Sequence, residues 1–199
     1  MIYSALQYIK NELEHYLKYE LDDSGVVVDL GNIALFEPEG DKIGEGLIIS
    51  LVNLEEESTL KNKRNYHRTM NNGIQSRQNP VFLNLYLLFS SNFDNYKTAL
   101  QRLSLIIQFF QVRKKFNVNN AIAPSNQDLF SDSELDFNLT FELYTLTFEQ
   151  INHMWGSLGG RQLPSIMYKA RLIRIEDPNA YRMLPPIEEI EKNIDSGNF

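Results

Sequence analysis

The segment TFEQINHMWGSLGGRQLPSIMY, residues 147–168, contains the junction that decides the fold. Thr147 and Gln150 have the three-residue spacing of a capping box, which predicts that a helix begins there. Gly159-Gly160 predicts the end of that helix, and Pro164 prevents its continuation. Apolar and polar residues then alternate, which predicts a long final strand. The segment is therefore a helix, its glycine stop and the entry to a strand.

This junction carries no motif of catalysis or phosphate binding. Its glycines follow a helix instead of opening one, and they lack the lysine and hydroxyl residue of a P-loop. His153 has no histidine or acidic residue four positions away to complete a metal pair. Ser157 lies inside the helix and not at the strand-to-helix elbow of a hydrolase. Trp155 is predicted to be a core anchor. The apolar face that it shares comprises Phe148, Ile151, Met154 and Leu158.

Composition limits the classes of function. The 199 residues are 43% hydrophobic, enough for one domain with its own core. The formal net charge of −7 argues against a general nucleic-acid binder. The absence of cysteine excludes disulfides, thiolate metal sites and cysteine nucleophiles. Neither a signal peptide nor an apolar run of about 18 residues is present, so we expect a chain made in the cytoplasm without membrane insertion. Because no motif for binding a cofactor is present, we also expect no cofactor.

The rest of the chain shows helix and strand patterns in mixed order. A helix is predicted over residues 2–20, with Glu12 off its apolar face and Gly25 in the left-handed position after its end. A second helix is predicted over about 94–112, capped by Asp94 or Asn92. Strands are predicted over residues 26–30, 32–36, 46–54, 80–89, 135–143 and 166–175. The pattern predicts an α+β protein, a single two-layer domain whose mostly antiparallel mixed sheet carries about three helices.

The second helix is apolar on two sides. Its predicted core stripe comprises Tyr96, Leu100, Leu103, Ile107 and Phe110. Leu105 and Phe109 fall on nearly the opposite side. Two explanations remain open, a second layer of the same domain or a contact with another subunit, and Leu105 and Phe109 are the first candidates for that contact.

Two polar segments are candidates for contacts with partners. We expect residues 55–79 to form an exposed loop or an extended hairpin tip within a domain of residues 1–175. Its basic side chains either are solvated or order against an acidic partner; they are Lys61, Lys63, Arg64, His67, Arg68 and Arg77. Residues 176–199 are predicted to form an extended arm or tail, with a short helix over residues 187–194. Tyr181, Met183 and Leu184 favour an arm that lies on a neighbouring subunit.

Several segments together resemble one family. They are residues 29–34, 49–57, 80–89, 96–111 and 152–169, of which the last is the most specific. The chain resembles the N-terminal domain of the cap, or tail-terminator, proteins of phage-tail-like contractile injection systems of the antifeeding-prophage and virulence-cassette type.

That resemblance implies a tail-terminator-like fold and a structural role. Such a protein sits at the end of the tube and sheath distal to the baseplate and closes the polymer as a ring, expected to be a homohexamer. The implied partners are further copies of the chain and the sheath and inner-tube proteins of the particle. From the residues themselves we expect no enzymatic activity, because no catalytic constellation is present. The alternative is a non-enzymatic adaptor or assembly chaperone for particle components, which oligomeric state would distinguish.

Overall fold

The computed structural model describes residues 2–35, 45–57, 66–68, 74–77, 81–126, 137–159, 162–175 and 181–184. Its longer helices are α1 (Ile2–Leu21), α2 (Tyr96–Val112) and α3 (Phe148–Ser157). Its strands are β1 (Val28–Leu30), β2 (Gly46–Glu56), β3 (Tyr66–Arg68), β4 (Ile74–Arg77), β5 (Val81–Asn92), β6 (Lys115–Asn117), β7 (Asn138–Leu143), β8 (Ser165–Ile175) and β9 (Tyr181–Leu184).

The main sheet has six strands in the order β1-β2-β5-β8-β7-β6. Only the β1–β2 pair is parallel, and the other four pairs are antiparallel. The predicted α+β class with a mostly antiparallel mixed sheet is therefore confirmed. A three-stranded sheet of order β3-β4-β9 joins part of the predicted 55–79 segment to residues 181–184.

α1 and α2 cover one face of the main sheet through an aromatic core. Phe110 of α2 lies 4.5 Å from Phe141 of β7 and 5.3 Å from Phe89 of β5, measured between ring centroids. Tyr8 of α1 contacts Phe116 and Phe137 edge to face. β5 is buried on both faces over most of its length, as its continuous apolar run predicts.

α3 covers part of the opposite face of the sheet. Trp155 is only 4% exposed and packs in a second core with Ile33, Ile48, Leu88 and Met167, which confirms it as a core anchor. The predicted capping box is present, since Thr147 Oγ1 accepts from the Gln150 N–H at 3.2 Å and Gln150 Oε1 accepts from the Thr147 N–H at 3.0 Å. The prediction that Phe148 belongs to the apolar face of this helix is wrong, because its side chain is 93% exposed at the first turn.

The predicted rotation of α2 is also wrong. Its buried side chains are Ala99, Ile106, Phe109 and Phe110. Of the predicted core stripe, Phe110 is buried and Leu103 packs against the core, whereas Tyr96, Leu100 and Ile107 are exposed. α1 packs on the side that carries Phe109, whose ring lies 5.2 Å from that of Tyr16. Leu105 is partly buried against the same core. The helix cap is Asn95 and not Asp94 or Asn92, and its side chain accepts from the Lys97 N–H.

Two local predictions near the end of α1 need correction. Asp22, with φ of 49°, takes the left-handed position that was assigned to Gly25. Aspartate tolerates this conformation better than most residues. Residues 32–36 were predicted to be a strand, but Ile33–Leu35 form a 3₁₀ turn. The Asn32 side chain accepts from the Ala34 N–H at 3.0 Å, and this local bond stabilises the turn over a sheet pairing.

Candidate interaction surfaces

A groove of about 690 Å³ opens between α2, α3 and the beginning of β8. Its floor includes Leu88 and Trp155, and its rim includes the exposed Tyr96, Leu100 and Leu143. Every one of its lining side chains is uncharged. The groove exists because β7 ends at Leu143, opposite Tyr168, while β8 begins three residues earlier at Ser165. We call it the β8 groove.

A second apolar surface, the α1–α2 groove, lies between the C-terminal parts of these two helices and has a volume of about 310 Å³. Tyr19 and Val112 on its rim are 80% and 84% exposed, and Ile122 is also exposed. Phe109 and Tyr16 form its base. Side chains this large and apolar are seldom left in water together, so this surface is a candidate for covering by protein.

Next to the α1–α2 groove, a buried polar network joins α1 to residues 113–126. Glu12 is 2% exposed, and its Oε2 accepts from Arg113 Nη1 at 2.5 Å. Its Oε1 accepts from the backbone N–H groups of Ile122 and Ala123 and from Asn126 Nδ2, each at 2.9 Å. The sequence prediction that Glu12 lies off the core face is therefore wrong. The carboxylate is buried because four donors surround it.

Tyr8 and Arg113 extend this network. The Tyr8 hydroxyl donates to the Asn117 carbonyl at 2.9 Å and accepts from Arg113 Nη2 at 3.1 Å. Burial, and then the nearby Glu12 charge, raise the pKa of Tyr8 to about 12. The Arg113 guanidinium also lies 4.5 Å from the centre of the Phe116 ring. The paired geometry indicates a structural role, since each charge is already matched within the network.

A more exposed polar cluster crosses three strands of the main sheet. Glu55 Oε2 accepts from the Tyr86 hydroxyl at 2.6 Å and from Lys169 Nζ at 3.0 Å. These bonds, the Tyr86 bond first, lower the pKa of Glu55, and the same carboxylate raises the pKa of Tyr86. A carboxylate stabilised in its ionised form by two donors is poorly suited to act as a general acid or base near neutral pH.

The structure separates the residues that the sequence grouped as interface candidates. Phe109 is in the core and Leu105 packs against it, so neither forms a free surface. Tyr181, Met183 and Leu184 lie in β9, which pairs with β4 of the same chain. Of the basic set, Arg68 is in β3 and Arg77 is in β4. Lys61, Lys63 and Arg64, like the predicted helix over 187–194, lie outside the described residues.

The β8 groove and the Glu12 network were both missed in the sequence. The sequence feature that could have indicated the groove is the apolar pattern on two sides of α2. The sequence of one helix does not show which of these sides faces the core and which faces the surface. For Glu12, the sequence feature was its position between Ile9 and Leu13, both of which are fully buried.

No group of three or more histidine, aspartate or glutamate residues able to hold a metal ion occurs among the described residues. The helices in that part of the chain include none long and apolar enough to cross a bilayer.

The family model for the Pvc16 N-terminal domain matches residues 5–189, almost the whole chain. The chain belongs to this family. The resemblance drawn from its sequence is thus confirmed for the residues that carried it. The search of curated protein sequences found no match to this chain.

Two solved structures share the fold of this Pvc16 N-terminal domain. One is the PVC sheath/tube terminator, in its extended state, of an extracellular contractile injection system; the TM-score is 0.54 and the identity 13%, over 98% of this chain and 65% of that one. The other is the cap of the anti-feeding prophage, a tube-terminating cap, with a TM-score of 0.54 and 13% identity over 94% of this chain and 60% of that one. The chain thus spans less than two thirds of either structure, and the likeness establishes the terminator-like fold.

Proposed function

We propose that this Pvc16 N-terminal domain is a structural protein of a contractile injection particle. It caps the end of the tube and sheath distal to the baseplate and ends their polymerisation as a ring of six subunits. The observation that carries the proposal is the family match over residues 5–189. The two solved relatives named as terminators support it through their common fold. The role is non-enzymatic, and the chain is made in the cytoplasm before it joins the particle.

The distribution of exposed apolar surface supports ring assembly. A closed ring of more than two subunits uses heterologous contacts, in which two different patches of each subunit meet. The α1–α2 groove is our candidate for one of these patches, since its rim includes the exposed apolar side chains of Tyr19, Val112 and Ile122. Tyr181, Met183 and Leu184 remain proposed contacts between subunits. Lys61, Lys63, Arg64, Arg68 and Arg77 remain proposed contacts with an acidic partner surface.

Native mass spectrometry of the chain, alone and with the tube and sheath proteins of its particle, tests this function. We expect a species of six copies in at least one sample. Val112→Asp should reduce that species because it places a charge on the exposed rim of the α1–α2 groove. Tyr3→Asp is the matched control, since Tyr3 is also exposed but lies on neither groove. A chain that stays monomeric and never joins tube or sheath would overturn the proposal and favour the adaptor alternative.

A further inference from the structure

The α1–α2 groove has the form of a site for an amphipathic helix. Exposed apolar side chains of both helices stand on its rim, Tyr19 from α1 and Val112 from α2, and Phe109 lies at its base. Its volume of about 310 Å³ is at the lower end of the range for binding pockets. Apolar grooves of this kind bind helices that present apolar residues at positions i, i+3 and i+7.

The two sides of this groove differ in charge. Lys114 and Lys115 directly follow Arg113 on the α2 side, and both are exposed. On the α1 side the exposed Glu20 lies close enough to Tyr16 to raise the pKa of that hydroxyl, after burial, which is the larger cause. A helix with carboxylates along one side of its apolar stripe, and few along the other, would therefore match the groove.

The chain contains such a segment after β9, within residues 185–199. Its three isoleucines have the i, i+3, i+7 spacing of one helix face, and they are Ile187, Ile190 and Ile194. At 3.6 residues per turn, three carboxylates fall along one side of that stripe, those of Glu188, Glu191 and Asp195. Pro186 precedes the stripe and Gly197 follows it, as at the start and end of many helices.

The segment begins at the end of the main sheet that is remote from the groove. β9 pairs with β4, which the chain joins to the Val81 end of β5. Leu184, from which the segment continues, pairs with Ile74 at the end of β4 away from that link. The part of α2 that lines the groove contacts Phe89 through Phe110, about 26 Å along β5 from Val81. This arrangement favours the groove of a neighbouring copy over that of the same chain.

We propose that residues 187–194 of one subunit form a helix that binds in the α1–α2 groove of the next subunit. The isoleucines cover Tyr19 and Val112, and the carboxylates lie beside Lys114 and Lys115. This inference rests on the proposed function, because segment and groove are the two different patches that a closed ring requires. The ring is then held together by arms that each pass from one subunit to its neighbour.

Crosslinking between two differently tagged chains tests the contact. Because the chain contains no cysteine, Val112→Cys and Ile190→Cys each introduce a single thiol. After assembly of the mixed variants with tube and sheath proteins, we expect a short bismaleimide to join the two tags in one dimer. Tyr3→Cys replaces Val112→Cys in the control, since Tyr3 is exposed but does not line the groove. Equal dimer in both mixtures, or a link only within one chain that carries both thiols, would overturn the inference.

Substitution on the isoleucine stripe separates this contact from the function itself. Ile190→Asp should weaken ring formation in native mass spectrometry at least about tenfold, because a charge would enter an apolar groove. Lys192→Ala, off the stripe, is the matched control and should assemble like the unmodified chain. The melting temperature of the monomer should be the same in both variants, and a lower value for Ile190→Asp alone would place Ile190 in the core of its own chain. That result, or full ring formation by Ile190→Asp, defeats the inference and leaves the proposed function standing. If the unmodified chain forms no ring and joins neither tube nor sheath, both fail.

Discussion

Glu12 and Arg113 form an ion pair of 2.5 Å between α1 and the residue that follows α2. The pair is largely removed from water, since the side chains of Glu12 and Arg113 are 1% and 17% exposed. Residues 101 positions apart in sequence are thereby fixed to each other, and the segment that follows Arg113 is held over α1 by the same carboxylate. This network forms one wall of the α1–α2 groove.

Removal of the buried carboxylate should destabilise the protein strongly. Glu12→Ala removes the buried acceptor shared by Arg113 Nη1, Asn126 Nδ2 and two backbone N–H groups, so we expect a loss of about 3–5 kcal/mol in the free energy of unfolding. Urea denaturation followed by circular dichroism would measure it. Glu14→Ala, which breaks the more exposed pair with Lys18, should cost less than about 1 kcal/mol. Similar losses in the two variants would contradict the structural role of the network.

The same network illustrates what one sequence can predict. Elements with regular patterns were predictable: α1, β5, the capping box at Thr147 and the strand that follows Pro164 all form as expected, because local periodicity and caps determine them. Glu12 was not predictable, since its burial depends on donors more than 100 residues away along the chain. A charged residue on a helix is normally solvated, and only the folded chain supplies its partners.

The rotation of α2 failed for a related reason. When a helix has apolar residues on two sides, its sequence does not show which side faces the core. Only the position of α1 decides that Phe109 is buried and Ile107 is exposed. The β8 groove likewise results from where β7 ends relative to β8, which is a property of strand register. Register depends on pairing between distant segments and is not visible in the periodicity of either strand.

The two sides of α2 should respond oppositely to charge. Phe109→Asp places an ionised group in the aromatic core beside Tyr16 and Phe116, and we expect it to unfold the monomer. Ile107→Asp, on the exposed side, should leave the melting temperature nearly unchanged. Circular dichroism on heating would compare the two variants. A folded Phe109→Asp monomer that had lost only its oligomers would restore Phe109 as a contact between subunits.

Trp155 and Phe148, on one helix, give a matched test of burial. Trp155→Ala should cost about 3–5 kcal/mol in the free energy of unfolding, because it leaves a cavity against Ile48, Leu88 and Met167. Phe148→Ala should change that free energy by less than about 0.5 kcal/mol, since its side chain is almost wholly exposed. Chemical denaturation monitored at 222 nm suits both variants. Full stability of Trp155→Ala would disprove its role as the anchor of the second core.

Gly156, within α3, and Gly159, just beyond its end, should respond to alanine with opposite signs. Gly156 lies within the helix, and a Cβ added there meets nothing within 4 Å, so Gly156→Ala should stabilise the protein by about 0.5–1 kcal/mol. Gly159 ends the helix with φ of 100°, a conformation that favours glycine, so Gly159→Ala should destabilise by about 1–2 kcal/mol. Thermal melts of the two variants provide the comparison. Stabilisation by both would contradict the left-handed conformation of Gly159.

The buried hydroxyl of Tyr8 should make stability fall at alkaline pH. Its pKa in the folded chain is about 12, above the value of about 10 expected when unfolded. Between these values the unfolded chain has lost a proton that the folded chain still holds, so the stabilising contribution is complete below pH 10 and is lost as pH rises toward 12. The total is of order 2 kcal/mol. Urea denaturation of the protein and of Tyr8→Phe, at several pH values from 8 to 12, would isolate the contribution of this group. We expect the difference in free energy of unfolding between the two to change with pH only above about pH 10, and a difference that is constant across the range would show that Tyr8 ionises as readily in the folded chain as in water.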